Sequence, residues 1–161
     1  MSGAPLDGDE LLKELDRADV EFVVIGALAV AAHGFPRATM DLDIVPEPSK
    51  GNLERLMQAL NRLDARLLPL DIPEHDRPLT AEWLGEGGNF QFATRYGQLD
   101  LLQEVAELTY QELDADAIDA DVGYVEIRVC SYPHLVRMKE QAGRDQDLID
   151  LKRLREARGD E

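Results

Sequence analysis

Phe22 to Val45 reads FVVIGALAVAAHGFPRATMDLDIV: a buried strand (Phe22 to Ile25), a Gly26-Ala27 turn, a short Ala-rich helix ended by Gly34, a loop carrying Arg37 and Thr39, and a second strand holding Asp41 and Asp43. Side chains alternate along a strand, so Asp41 and Asp43 point one way while Leu42 and Ile44 point into the core. Two carboxylates then share one small space. They repel at neutral pH unless a cation lies between them, and hard oxygen ligands on a rigid strand suit Mg²⁺ or Mn²⁺. A D-x-D pair alone is also what a solvated strand end looks like, so the residues before it matter. Gly26 lets the backbone turn sharply from strand into helix, and the unpartnered first amides of that helix, from Gly26 and Ala27 on, are placed to cradle a phosphate. A phosphate cradle and a divalent-metal pair within one supersecondary unit point to a nucleoside triphosphate. Pro36 extends the chain so that Arg37 and Thr39 stand beside the aspartates, with Arg37 divided between an ion pair to one of them and contact with a nucleotide phosphate. His33, at the end of an apolar helix, reads as a capping or packing residue.

On the N-terminal side, Asp7 or Asp9 caps a helix with apolar Leu11, Leu12, Leu15 and Ala18, ended by Asp19. On the C-terminal side, Pro46 and Pro48 close the second strand and Ser49 caps a helix with apolar Leu53, Leu56, Met57, Leu60 and Leu63. From Arg66 to Gly88 the periodicity weakens around Pro69, Pro73 and Pro78, with a short helix expected from Thr80 to Leu84. Trp83 is placed either as a buried anchor or on a wall that stacks a base or an acceptor. Asn89 to Arg95 and Gln98 to Gln103 alternate around Tyr96-Gly97, a hairpin that carries Asp100 among leucines. A carboxylate there needs a cation or a hydrogen-bond partner, such as Arg95 or Arg37. Asp114, Asp116, Asp119 and Asp121 lack the glycine and terminal glutamate of a calcium loop and read as solvated surface. Tyr124 to Cys130 alternates as a strand, with Val125, Ile127 and Val129 facing the core. Ser131 caps a helix with Leu135, Met138 and Ala142 on its apolar stripe and Lys139 at the stripe's edge, where its stem snorkels to solvent or reaches inward. After Gly143, a last helix spaces Arg144, Asp147 and Asp150 at three-residue steps beside Leu148, Leu151 and Leu154.

A strand ending in Gly plus a small residue, a short helix, then R-x-T-x-D-x-D on the next strand resembles the nucleotidyltransferase superfamily of DNA polymerase beta. The likeness is greatest to the small stand-alone bacterial branch that includes the AbiE-type toxin nucleotidyltransferases. G-Q-L-D-L-L (Gly97 to Leu102) and M-K-E-Q-A-G-R-D-Q-D-L-I-D (Met138 to Asp150) are similar to later motifs of that branch. The resemblance implies that Asp100 is the third metal-site carboxylate, the one that deprotonates or orients the attacking hydroxyl. It further implies that Lys139 grips the triphosphate and that Arg144 with Asp147 and Asp150 clamps the nucleotide side. Many active members place Ser after the glycine, to hold the terminal phosphates; this chain has Ala27.

A chain of 161 residues is expected to form a single domain, residues 1–161. Its formal charge of −16 excludes a general nucleic-acid-coating protein, whose affinity comes from Lys and Arg displacing counterions. The charge is unevenly spread: residues 1–127 carry nine Lys and Arg against 26 Asp and Glu, whereas residues 128–161 carry eight against seven. Cys130 is the single cysteine, which rules out an internal disulfide and a Cys-based zinc site and fits a reducing, cytoplasmic setting. Neither an export signal nor an apolar run of membrane-spanning length is present, so no membrane partner is expected.

These readings converge on an α/β (α+β) domain, a small mixed β-sheet with flanking helices and a minimal nucleotidyltransferase fold, carrying Asp41, Asp43 and Asp100 on one sheet face. The expected reaction moves a nucleoside monophosphate from an NTP to a hydroxyl of RNA or protein with Mg²⁺ or Mn²⁺ as cofactor. The chain would act as the toxin of a toxin–antitoxin pair with a cognate antitoxin protein. Two other readings stay open: a non-catalytic relative serving as nucleotide sensor or toxin–antitoxin partner, which Ala27 keeps alive, and a small-molecule (antibiotic) nucleotidyltransferase.

Overall fold

The computed structural model describes residues 5–36, 39–68, 79–121 and 125–159. Arg37, Pro69, Pro73, Pro78 and Tyr124 of the sequence reading lie outside the described residues. Asp7 accepts from the Glu10 amide and starts α1 (Gly8–Arg17), whose Leu11, Leu12 and Leu15 are buried. Strand β1 (Phe22–Ile25) runs straight into α2 (Gly26–Ala32), and β2 (Asp41–Pro46) returns antiparallel to β1. Ser49 caps α3 (Lys50–Arg62) through the Asn52 amide. Asn52 is itself fully buried: its side chain accepts from the Glu21 amide and donates to the carbonyls of Glu21 and Glu47, pinning the start of β1 and the end of β2 to one helix.

A two-residue strand β3 (Arg66–Leu67) and the Thr80-capped α4 (Ala81–Gly85) lead to the expected hairpin, β4 (Phe90–Thr94) and β5 (Gly97–Leu101). Then follow α5 (Tyr110–Asp116), β6 (Ile118–Asp121), β7 (Glu126–Val129), α6 (Tyr132–Ala142) and α7 (Asp145–Ala157). The sheet has seven strands in the order β3-β4-β5-β2-β1-β7-β6. β2–β5 and β1–β7 are parallel and the other pairs antiparallel. The mixed α/β expectation holds.

One local reading is refined and two are corrected. Asp114, Asp116, Asp119 and Asp121 lie on the surface as read, but Ile118–Asp121 forms an edge strand paired with β7, and Arg128 bridges Asp114 and Asp119 at 3.1 and 3.0 Å so that the acidic run is held against the sheet. Arg95 pairs with Asp64 and the Arg62 carbonyl rather than with Asp100. Leu148, expected to pack beside Leu151 and Leu154, is 55% exposed, because α7 turns Asp147 and Asp150 inward instead. His33 caps and packs as read: its Nε2 lies 2.8 Å from the Cys130 carbonyl oxygen and its ring stands edge-on to Tyr132.

Candidate active site

Period-two alternation places the carboxylates. β2 buries Leu42 and Ile44 on one face and leaves Asp41 and Asp43 half-buried on the other. β5 lies parallel to β2 with Asp43 opposite Asp100 and Asp41 opposite Gln98. Oxygens of Asp41, Asp43 and Asp100 consequently lie within 4.8 Å of one another. Burial and the charges of Asp41 and Asp100, with a hydrogen bond to Asp100, push Asp43 up to about 8; Lys139 pulls the other way. A divalent cation among these oxygens would replace repulsion with coordination, so the donor set fits Mg²⁺ or Mn²⁺.

Gly26 is tied to this cluster by space as well as by conformation. Its φ of +73° is left-handed, and a Cβ there would lie 2.1 Å from Asp43 Oδ2. The carboxylate therefore occupies the volume that any other residue would fill. Thr39 organises the entrance to β2: its hydroxyl donates to the Asp41 carbonyl and accepts from the Asp41 amide at 3.0 and 3.4 Å.

The far wall comes from the last two helices. Gly143 ends α6 in a left-handed turn, folding α7 back so that residues four before and four after the glycine meet. Lys139 Nζ lies 3.2 Å from Asp147 Oδ1 and 2.9 Å from Asp150 Oδ2, all three side chains being at most 9% exposed. Gln146 donates to Asp150 at 2.9 Å, and Arg144 Nε lies 2.8 Å from Asp147 Oδ2 while its side chain stays 77% exposed. Burial pushes Asp147 up, but hydrogen bonds from Arg144 and Lys139 outweigh it and hold the carboxyl below its ordinary range. Lys139 is thus neither a snorkelling surface lysine nor a free cation.

One cavity of about 540 Å³ joins these parts. Gly26, Ala27, Thr39, Asp41, Asp43, Asp100, Lys139, Arg144 and Asp147 all line it, while Asp150 lies behind that wall, paired with Lys139. Asn89, Phe90 and Gln91 of the β4 side, Met40 and Gln146 also line it and were not foreseen. Nor was Gln98, whose Nε2 donates to Asp100 Oδ1 at 2.9 Å. Its signal was available in the sequence, two residues before Asp100 and hence on the same face of the strand. Trp83 stacks, tilted, on Phe90 with ring centroids 4.7 Å apart, supporting one wall as an anchor.

No protein-family model matches the chain, and no curated protein matches it. Solved structures do. A crystal structure of the lincosamide antibiotic adenylyltransferase LnuA with lincomycin bound superposes with a TM-score of 0.63 at 15% identity, covering 94% of this chain and 98% of that one. ANT(2″)-Ia in complex with adenylyl-2″-tobramycin gives 0.57 at 16% identity over 91% of this chain and 83% of that one. A Thermotoga maritima protein provisionally assigned as a nucleotidyltransferase gives 0.54 at 15% identity over 93% and 94%. The fold is that of the nucleotidyltransferases.

Proposed function

We propose that the protein is a metal-dependent nucleotidyltransferase that moves a nucleoside monophosphate from an NTP to an acceptor hydroxyl and releases pyrophosphate. The observation that carries this reading is the convergence of Asp41, Asp43 and Asp100 within 4.8 Å at the wall of a cavity, on a sheet of nucleotidyltransferase fold. Bound Mg²⁺ or Mn²⁺ would supply Lewis acidity and neutralise charge on the phosphates. Asp41 and Asp43 would hold the ion, Asp100 would complete the set and take the acceptor's proton, and Gly26 and Ala27 would leave room for the triphosphate. Arg144 and Thr39 would meet the phosphates, and Arg37 is proposed as a further cation for them. Lys139, held by Asp147 and Asp150, fixes that side and adds its field rather than a free grip.

For the acceptor we favour an RNA end or a protein hydroxyl in the cytoplasm, in the manner of the toxin branch that the R-x-T-x-D-x-D and K-x-x-A-G-R motifs resemble, with a cognate antitoxin as partner. A small-molecule acceptor is the second reading; the superposition on structures holding lincomycin and adenylyl-2″-tobramycin favours it. Ala27 in place of Ser favours a third, a nucleotide-binding relative without turnover. Among the described residues no helix is long and apolar enough to cross a membrane.

The test incubates the protein with each α-labelled NTP, Mg²⁺ or Mn²⁺, and in separate arms cellular RNA, lysate protein, a lincosamide and an aminoglycoside. Label should move to one acceptor class, and Asp41→Asn with Asp43→Asn should reduce it by three orders of magnitude or more, since removing groups that act as a unit is nearly all-or-none. Label that moves equally in the double variant would sink the assignment of the aspartates; binding of NTP with no transfer to any acceptor would select the sensor reading.

Metal should also be visible without turnover. Because Asp43 rises from 3.8 to about 8 on folding, its protonated form is favoured in the native state, so the metal-free protein should lose stability as pH rises from about 4 through about 8. Mg²⁺ should restore that loss, and melts with and without the ion should show a larger rise in Tm at pH 8 than at pH 6, where the ion must displace a proton. A rise that is equal at both pH values would count against Asp43 as a ligand.

A further inference from the structure

We infer that Gln98 is a positioning residue of the carboxylate cluster: its side-chain amide holds Asp100 Oδ1, so that Oδ2 is the oxygen presented to the cation and the acceptor. The inference rests on the metal-dependent reading above. Gln98 stands two residues before Asp100 on β5, on the same face, and directly opposite Asp41 on β2. Its Nε2 donates to Asp100 Oδ1 at 2.9 Å, and Asp43 stands directly opposite Asp100 on β2, so the carboxylate is set between an amide and a second carboxyl. Arg95, the nearest arginine in sequence, is engaged elsewhere by Asp64 and the Arg62 carbonyl.

The residue type matters at this place. A carboxylate opposite Asp41 would add a fourth negative charge to a cluster already in mutual repulsion, and a lysine would put its own ammonium where a metal ion is needed. An amide carries a donor and no charge. It can fix the rotamer of Asp100 without competing for the ion, which is how outer groups orient metal-ligating carboxylates. Glutamine has three rotatable side-chain bonds, so an ordered Gln98 is kept in place by what it contacts.

Mn²⁺ titration followed by electron paramagnetic resonance of the free ion tests this, with transfer kinetics as a second readout. Gln98→Met, of similar length but without the donor, should weaken Mn²⁺ binding about tenfold and lower kcat about tenfold while KM for the NTP stays within twofold. Gln98→Asn, in case the methionine variant fails to fold, keeps the amide but withdraws it from Asp100 and should also weaken Mn²⁺ binding about tenfold. A merely structural glutamine would lower Tm and leave the Mn²⁺ affinity of the folded protein unchanged. Wild type that binds no Mn²⁺ would overturn the triad reading and this one together. Wild type that binds, with folded Gln98→Met binding and turning over equally well, would overturn the role of Gln98 alone.

Discussion

Lys139→Met should destabilise the protein by about 3–5 kcal/mol, the usual consequence of removing one partner from a buried ion pair. Methionine keeps the stem and much of the packing, so little of that loss is apolar. The cost comes from Asp147 and Asp150, which are 2% and 0% exposed and would lose a cation at 3.2 and 2.9 Å. Asp147 keeps Arg144 at 2.8 Å, and Asp150 keeps the neutral amide of Gln146 at 2.9 Å. Adding Asp150→Asn to Lys139→Met removes one of the two buried negative charges and should recover part of the loss. Urea unfolding with a constant m-value measures both changes. If Lys139→Met melts within 0.5 kcal/mol of wild type, the lysine is a surface side chain after all. Domain stabilities run to about 5–15 kcal/mol, so loss of transferase activity in Lys139→Met has to be corrected for the folded fraction before it speaks to the triphosphate.

Gly26→Ala should abolish the response to metal. Alanine at a φ of +73° costs about 1–2 kcal/mol in backbone strain alone. Its Cβ, built 2.1 Å from Asp43 Oδ2, must also drive that carboxylate out of the cluster. Moving Asp43 away from Asp41 and Asp100 relieves their repulsion, which offsets part of the strain in the metal-free protein. The clearer readout is therefore the difference between melts with and without Mn²⁺: a rise in Tm for wild type and none for Gly26→Ala. An equal rise in both would show that Asp43 is not a ligand.

Period and turn chemistry made much of this legible in advance. Asp7, Ser49 and Ser131 cap the helices they were expected to cap, Gly26 turns strand into helix, and alternation along β2 and β5 brings Asp41, Asp43 and Asp100 to one face. What failed shares a cause: charge compensated across elements does not show in a one-dimensional hydrophobic pattern. α7 was aligned by its leucines, yet a buried lysine eight residues before Asp147 draws two aspartates inward and leaves Leu148 outside. β6 is exposed as read, yet nothing in its own sequence announces that Arg128 ties it to β7. Gln98 was passed over because an amide beside three acids draws no notice until its hydrogen bond is seen.

In the proposed reaction, the pairing of Lys139 and Arg144 with Asp147 and Asp150 would also set how a nucleotide arrives. Two cations face two carboxylates there, so that wall of the cavity offers a polyanion no net attraction, and the surrounding chain carries −16. Long-range electrostatics would then oppose the approach of a triphosphate instead of steering it. Dissolved salt, which slows capture at sites ringed by free lysines, would screen the repulsion here and hasten the encounter. The on-rate, more than the bound-state contacts, is where the acidity of this protein would be felt.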